Sequence, residues 1–265
     1  MTRVAWLTDI HLDILDEQRR EEVLADWSTC EADAFLIGGD IGEAATLTQF
    51  LSRIDEVLQR PIYFVLGNHD YYRDSIRRVR EEMAALCEKR PRLHYLTHDA
   101  PHQLAPGIAL IGHDGWADAR IGDYEGSAVM LHDYELIDEL KQLGKLERWP
   151  RLKQLGDEAA AHIDQTLTAA LATSSHVYLL THIPPTRSSC WYNGEVSDDE
   201  WAPHFTCKAV GDVILRIMRE QRERRLTVLC GHTHSPGETR PLPNVQILTG
   251  HAEYGQPEVQ QIFSL

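Results

Sequence analysis

The sequence predicts an α/β layered fold built around a sheet with mostly parallel strand pairs. Short apolar runs end at glycine or a polar residue, and the stretches between them carry apolar residues at helical spacing. Such alternation of strands and helices favours parallel pairing in a layered fold. A chain of 265 residues, 43% of them hydrophobic, is long enough to bury a sizeable core, and we expect a single domain spanning 1–265.

Six apolar runs have the length and composition of buried strands. In chain order they are 3–8 (RVAWLT), 34–39 (AFLIGG), 62–67 (IYFVLG), 108–112 (IALIG), 177–181 (VYLLT) and 226–231 (LTVLCG). The segments with the apolar spacing of amphipathic helices are 17–27, 44–60, 73–90, 151–173 and 209–224. Near the C-terminus, VQILTG (245–250) and VQQIFSL (259–265) predict further strands and a hairpin-like closure.

Two long irregular segments, 113–150 and 183–208, interrupt this alternation. Long loops often form lids or binding walls, so both are candidate cap-like regions. Plain surface excursions are the alternative. No internal repeat, low-complexity run or Gly/Ser-rich linker marks a domain boundary.

Charge and cysteine content narrow the classes of function. A net charge of −15 disfavours a surface that grips nucleic acid through many phosphates, but it allows a small phosphorylated substrate if bound metal supplies positive charge. Five cysteines without a CxxC pair are typical of reduced thiols that pack in the interior. No apolar window is long enough for a membrane helix and the N-terminus is too polar for a signal peptide, so we expect a cytoplasmic protein with no membrane partner.

Five of the six clearest strands stop on Asp, Asn or His. The residues that follow them are Asp9 and His11, then Asp40, then Asn68, His69 and Asp70, then His182, and finally His232 and His234. The carboxyl edges of strands in an open α/β sheet form the crevice in which ligands bind. Each fragment alone is a common turn or helix cap, but their joint occurrence predicts a shared site.

The residue types at these strand ends predict two metal ions. Oxygen and imidazole nitrogen without thiolate suit Mn, Fe, Zn, Ni or Co. Seven ligands drawn from these strand-end residues would be too many for one tetrahedral ion. Two ions about 3.5–4 Å apart can share a carboxylate and clamp the oxygens of a transferring phosphoryl group. The His232 and His234 imidazoles would then each bind one ion, and Cys230 belongs to the packed strand.

In these residues the chain resembles the calcineurin-like metallophosphoesterases. The matching motifs, in order from 9 to 234, are D-x-H, G-D, G-N-H-D, a lone histidine after a strand, and G-H-x-H. The resemblance implies a four-layer α/β/β/α sandwich. It also implies that Asp9, His11 and His234 hold one metal, that Asn68, His182 and His232 hold the other, and that Asp40 bridges them.

The implied activity is hydrolysis of a phosphodiester or phosphomonoester of a small soluble substrate by a hydroxide that bridges two divalent ions. The resemblance makes His69 the group that meets the phosphate or protonates the leaving oxygen, with Asp70 orienting its imidazole. A non-catalytic interaction scaffold and a nuclease of the same fold remain the alternatives. The oligomeric state is left open.

The irregular segments offer candidate substrate contacts. They are Trp116, Arg120 and Tyr124 in the first segment and Arg187, Trp191 and Tyr192 in the second, with loop packing as the alternative for each. An arginine near a metal-bound phosphate would add a bidentate clamp. His113 and Asp114 imitate a sixth strand-end site and carry less weight, because the motif set is complete without them.

Overall fold

The computed structural model describes residues 1–265 and contains thirteen β-strands and seven α-helices. The strands are β1 Arg3–Leu7, β2 Ala34–Gly38, β3 Ile62–Val65, β4 Leu93–Tyr95, β5 His102–Ala105, β6 Ile108–His113, β7 His176–Thr181, β8 Trp191–Tyr192, β9 Glu195–Val196, β10 Arg225–Cys230, β11 Gly237–Leu242, β12 Val245–Thr249 and β13 Gln261–Ser264. The helices are α1 Glu17–Thr29, α2 Ala44–Leu58, α3 Ile76–Lys89, α4 Asp133–Leu136, α5 Lys145–Thr173, α6 Ala202–Phe205 and α7 Lys208–Glu220.

Two sheets form the centre of the molecule. The first has the order β13-β1-β2-β3-β4, in which β1 to β4 are parallel and β13 is antiparallel to β1. The second has the order β11-β12-β10-β7-β6-β5, with four parallel strands between antiparallel edges. Strands β8 and β9 pair separately as a small hairpin.

The two sheets pack face to face, and helices cover their outer faces. Between the sheets lies a layer of ten buried residues that includes Trp6, Leu36, Tyr178 and Leu229. Helices α1 to α3 pack outside the first sheet, and α5 and α7 pack outside the second. Every residue of β2 is buried, because both faces of its sheet are covered. This arrangement confirms the predicted four-layer α/β/β/α sandwich.

All six strands predicted from the apolar runs are present, but the predicted hairpin at the C-terminus is wrong. Strand β12 lies parallel to β10 in the second sheet, whereas β13 lies antiparallel to β1 in the first. The two strands cannot pair because the segment between them crosses from one sheet to the other. The hairpin partner of β12 is β11, which the sequence pattern did not predict.

The irregular segments contain more regular structure than predicted. Helix α5 begins at Lys145 rather than at 151, and the carboxylate of Glu147 caps it by accepting the backbone N–H of Gly144 at 3.0 Å. The first segment also holds α4, and the second holds the β8-β9 hairpin and α6. No helix of the molecule combines the length and apolarity that a bilayer crossing requires.

Candidate metal centre

The loops that follow β1, β2, β3, β7 and β10 meet at one edge of the two sheets. The backbone N–H of Asp9 donates to the carbonyl of Gly39 at 3.0 Å, and that of His232 donates to the Asp9 carboxylate at 2.9 Å. Nδ1 of His182 lies 2.9 Å from the carbonyl oxygen of Gly38. The structure therefore brings together all seven residues that the sequence predicts as metal ligands, from positions 9 to 234.

Four of these residues form a first cluster. The ligand atoms of Asp9, His11, Asp40 and His234 all lie within 4.8 Å of one another, and three of the four residues are fully buried. Nε2 of His11 lies 3.2 Å from Nε2 of His234, which in turn lies 3.4 Å from Oδ1 of Asp9. Imidazole and carboxylate groups that face one another this closely can hold a metal ion.

The remaining three residues form a second cluster around the side-chain oxygen of Asn68. Nε2 of His182 lies 3.1 Å from this oxygen, and Nδ1 of His232 lies 2.9 Å from it. The two imidazole rings meet edge to face with their centres 5.1 Å apart. The set offers two nitrogen ligands and one oxygen ligand to a second ion.

Asp40 lies between the two clusters. Its Oδ2 atom is 3.7 Å from Nε2 of His11 in the first cluster and 3.5 Å from Nε2 of His182 in the second. Its other oxygen accepts the backbone N–H of His69 at 2.9 Å, which fixes the carboxylate. One carboxylate oxygen thus faces both ligand sets, as a bridging ligand must.

Contacts behind the ligands fix which atom each one presents. Nδ2 of Asn68 donates to Asp133 at 2.8 Å and to the Tyr72 hydroxyl at 3.2 Å, so the amide oxygen faces the centre. Nε2 of His232 lies 3.3 Å from the carbonyl of His204, so Nδ1 of His232 is left for a ligand bond. No pattern in the sequence marks Asp133, Tyr72 or His204, because none of them follows a strand or shares a spacing with the ligands.

Local backbone geometry is part of the site. Nine non-glycine residues have a positive φ angle, and five of them are predicted ligands, namely Asp9, His11, Asp40, His232 and His234. Left-handed conformations cost such residues energy and cluster at functional sites. Glycine is needed beside them, because a Cβ at Gly231 would collide with the carboxylate of Asp9, and one at Gly67 with that of Asp40.

The two buried carboxylates of the centre, Asp9 and Asp40, would be stabilised by positive charge. Burial, and then the negative charge of Asp9, raise the pKa of Asp40 well above its ordinary value. Burial opposes ionisation of Asp9, but the imidazoles of His182, His234 and His11 lower its pKa. Two buried carboxylates and four imidazoles without thiolate fit two divalent transition-metal ions. Cys230 takes no part, since its sulfur faces Leu248 and Thr249 of β12.

The structure places His69 beside this centre but gives Asp70 a different task from the one expected. Nε2 of His69 lies 4.0 Å from Asp40, and its ring packs on Tyr72. Asp70 accepts the backbone N–H groups of Ile41, Gly42 and Gly67 at 2.8–3.0 Å and makes no hydrogen bond to His69. The expectation that Asp70 orients His69 is therefore wrong, because its oxygens hold the loops after β2 and β3.

A cleft of about 440 Å³ opens over the centre. Its lining consists of Asp40, Asn68, His69, Tyr72, Met130, Leu131, His132, Asp133, Tyr192, Phe205, His232, Thr233, His234 and Tyr254. Of the predicted substrate contacts, only Tyr192 is among them, and its role in substrate binding stays a prediction. Sequence reasoning missed Tyr254, which lies in the crossing before β13 and has no motif to mark it.

The other predicted contacts lie away from this cleft. Trp116 is buried against Tyr71, and Tyr124 is buried against Trp149 and His204. The remaining candidates are Arg120, which pairs with Asp118 and Asp157, Arg187, which pairs with Asp199, and Trp191, which packs on Gly237. Core packing or acidic neighbours occupy the side chains of these five residues, and none of them lines the cleft. Their role in substrate binding stays a prediction.

Two other groups with metal-ligating side chains have structural explanations. Asp114, which resembled a sixth strand-end ligand, accepts hydrogen bonds from Tyr71, Tyr95, Thr97 and Arg80. The group of His94, Asp99 and His102 is only half buried. Its His102 pairs with Asp99 at 2.8 Å and His94 stacks on Tyr63.

The fold and the paired ligand clusters define the class of protein, a metal-dependent phosphoesterase, and comparisons identify the family. The model of the calcineurin-like phosphoesterase family matches residues 2–236, so the chain belongs to this family and is a metal-dependent phosphoester hydrolase. The family implies a dinuclear centre of divalent ions. The sequence matches no curated protein at a significant level.

Many solved structures resemble this chain, and two of them illustrate the likeness. The phosphopantetheinyl hydrolase of Mycobacterium tuberculosis is 16% identical with a TM-score of 0.63, and the match covers 96% of this chain and 90% of that one. A dimetal phosphatase from Danio rerio is 15% identical with a TM-score of 0.58, covering 97% of this chain and 89% of that one. At these identities the likeness shows the architecture alone.

Proposed function

We propose that the protein hydrolyses a phosphodiester or phosphomonoester of a small soluble substrate at a centre of two divalent metal ions. The observation that supports this most is the position of the Asp40 carboxylate, which faces histidines of both ligand clusters at 3.7 and 3.5 Å. Asp9, His11 and His234 would hold one ion, and Asn68, His182 and His232 the other.

When bound, the two ions supply charge neutralisation for the phosphate and a water of lowered pKa. The chain's own residues keep the ligands in place. Asp133 holds the amide of Asn68, and the carbonyl of Gly38 accepts a hydrogen bond from Nδ1 of His182, so that its Nε2 is left to bind metal.

His69 is the residue we propose to assist the leaving group. Its imidazole borders the cleft and is partly exposed there, next to Asp40. Burial, and then the charge of His182, lower its pKa to about 4. The ring is therefore neutral at pH 7 and would donate a hydrogen bond to the leaving oxygen rather than carry a full positive charge.

The alternative of a nuclease has weaker support. The basic cluster RIMREQRERR at 216–225 runs from α7 to the start of β10, whereas the metal centre follows the end of that strand. A six-residue strand separates these points by about 20 Å. Arg216 is also paired with Asp164. A cleft of about 440 Å³ whose lining contains no lysine or arginine suits a small substrate better than a nucleic acid.

The test is hydrolysis after reconstitution. Metal-free protein, loaded in turn with Mn²⁺, Fe²⁺, Zn²⁺, Ni²⁺ or Co²⁺, is assayed on bis(p-nitrophenyl) phosphate, p-nitrophenyl phosphate, single-stranded DNA and RNA. We expect at least one metal to support turnover of a nitrophenyl ester, no cleavage of nucleic acid, and loss of both metal and turnover in Asp40→Ala. Two bound metals without turnover would favour the interaction scaffold, and cleavage of nucleic acid would favour the nuclease.

A further inference from the structure

The cleft over the metal centre gathers exposed apolar side chains. The large hydrophobic residues exposed on the molecule are Met1, Ile14, Met130, Leu146, Tyr192, Val196 and Tyr254. Three of these seven, Met130 at 61%, Tyr192 at 41% and Tyr254 at 52% exposure, line the cleft. Single exposed apolar residues are ordinary, but a group of them around a polar centre marks a binding surface.

Aromatic rings border the cleft next to each ligand cluster. Beside the first cluster, the ring of Tyr254 packs on those of His11 and His234 at 4.8 and 5.0 Å. Beside the second, Phe205 meets His232 edge to face at 4.9 Å. The phosphate site thus lies between two rings that are themselves held against the ligands.

The wall beside the second cluster continues outward as a stack. Phe205 stacks on Trp201 at 5.5 Å with planes 20° apart, and Trp201 stacks on Tyr192 at 5.8 Å with planes 22° apart. Tyr192 lies in the β8-β9 hairpin, where the backbone N–H of Asn193 donates to Ser235 at 3.1 Å. Because each ring is held by the next, the wall is formed before any ligand enters.

The cleft offers no permanent cation to a substrate. No lysine or arginine lines it, and His132 is the only titratable base in its lining outside the ligand motifs. Arg187, one of the two arginines predicted as a clamp, pairs with Asp199 and donates to the carbonyl of Ser197. A second negative group on the substrate would meet a chain of net charge −15 with nothing to pair with.

We infer that this cleft contains a subsite for an uncharged, planar aromatic leaving group. The inference rests on the proposed function and names its substrate class, a phosphate ester of an aromatic alcohol. In the reaction, water adds its oxygen to phosphorus, the P–O bond to the alcohol breaks, and the alcohol oxygen takes up the proton that the water loses. Tyr192 and Tyr254 determine specificity by contacting the ring.

The test compares esters whose alcohols have similar acidity. Benzyl phosphate carries a planar ring, cyclohexylmethyl phosphate an apolar ring of similar size that is not planar, and 3-carboxypropyl phosphate a second negative charge. With the metal-loaded enzyme we expect kcat/KM for benzyl phosphate to exceed that for cyclohexylmethyl phosphate by about tenfold, and the carboxylate ester to be the poorest. Equal values for the two rings, or a preference for the carboxylate, overturn the inference.

Variants test whether Tyr192 and Tyr254 cause the preference for benzyl phosphate. Tyr192→Ala and Tyr254→Ala should each lose most of the preference for benzyl phosphate, Tyr192→Phe and Tyr254→Phe should keep it, and Leu146→Ala, an exposed apolar residue outside the cleft, should match the wild type. Retention of the full preference in both alanine variants overturns the assignment.

Binding gives a second result that does not need turnover. Calorimetry on the metal-loaded protein should show benzylphosphonate binding about tenfold more tightly than methylphosphonate in the wild type but not in Tyr254→Ala. If no ester is hydrolysed, the proposed function fails, yet tighter binding of benzylphosphonate still supports the subsite. Equal binding of the two phosphonates overturns the subsite whether or not the enzyme is active.

Discussion

Asn68 shows how buried contacts between single residues control the centre. An amide can present either oxygen or nitrogen, and only the oxygen can bind a metal ion. Nδ2 of Asn68 donates to Asp133 and to the Tyr72 hydroxyl, which leaves the oxygen 3.1 Å from His182 and 2.9 Å from His232. Asp133 is thus a positioning residue, which acts on a metal ion through its neighbour.

Asp133→Ala should weaken metal binding at the second cluster. Without this acceptor only the Tyr72 hydroxyl, at 3.2 Å, holds the amide of Asn68, and loss of such a supporting contact typically costs about 10–100-fold in metal affinity. Titration of the metal-free variant with metal should show weaker binding of one of the two equivalents. Asp133→Asn, which retains an acceptor oxygen, should restore much of the affinity. Equal weakening of both equivalents, or no rescue by asparagine, would contradict a positioning role.

His69→Ala should reduce kcat by about 10²–10⁴-fold while both metals stay bound. The physical reason is loss of the hydrogen bond to the leaving oxygen, since the ring borders the cleft but is not one of the seven ligands. Metal analysis by mass spectrometry and steady-state kinetics on a nitrophenyl phosphodiester check the two halves of this outcome. Near wild-type turnover would rule out the proposed role.

At the scale of the element, the strand ends make the site. Strands β1, β2 and β10 each stop shortly before a ligand in the left-handed conformation, namely Asp9, Asp40 and His232, and these residues turn their side chains into the shared edge. The turn after β10 is the tightest example, because Gly231 lies against the carboxylate of Asp9, which accepts the N–H of His232. A side chain at Gly231 would push the β10 loop away from the loop after β1.

Gly231→Ala should lower metal occupancy at the first cluster. The added methyl group would collide with Asp9 and with the Thr8 hydroxyl, and a shift of either the Asp9 carboxylate or the β10 loop would disturb the contact between Asp9 and His234. Gly144→Ala is a matched control, because a Cβ there meets only the flexible end of Glu147 at 3.5 Å. We expect the control to retain full occupancy in elemental analysis. Full occupancy in Gly231→Ala would show that the approach to Asp9 is dispensable.

Elements differ in how well the sequence predicts them, for physical reasons. Strands buried on both faces, such as β2, are continuous apolar runs, and the predicted bounds of β2 lie within one residue of the observed strand. Edge strands such as β11, which reads GETRPL, have no such run because one side meets water. The metal ligands were predictable because their motifs recur at strand ends, whereas Tyr254 and Asp133 reach the site only through tertiary folding.

At the scale of the whole molecule, layering two covered sheets buries polar groups as well as apolar ones. His113 at the end of β6 is fully buried, and its Nδ1 accepts the backbone N–H of Gly115 at 3.0 Å. Burial lowers its pKa to about 3. The unfolded chain binds a proton at this residue below about pH 6.5, whereas the folded chain does not until about pH 3. Stability therefore falls as the pH drops through this range.

His113→Asn should make the fold less sensitive to acid. Asparagine keeps an acceptor for Gly115 but cannot be protonated. The unfolding free energy of the variant should therefore change less between pH 7 and pH 5 than that of the wild type. Urea unfolding in the presence of a chelator measures this without a contribution from metal release. His98→Asn, at an exposed histidine, should behave like the wild type. An equal loss of stability in His113→Asn would contradict the assignment.

The central claim is that distant parts of the chain form one cage for two cations around Asp40. Anomalous diffraction from crystals of the Mn²⁺-loaded protein tests it most directly. We predict two peaks about 3.5–4 Å apart. Asp9, His11 and His234 should flank one peak and Asn68, His182 and His232 the other, with Asp40 between them. A single peak, or peaks away from these residues, would contradict the claim.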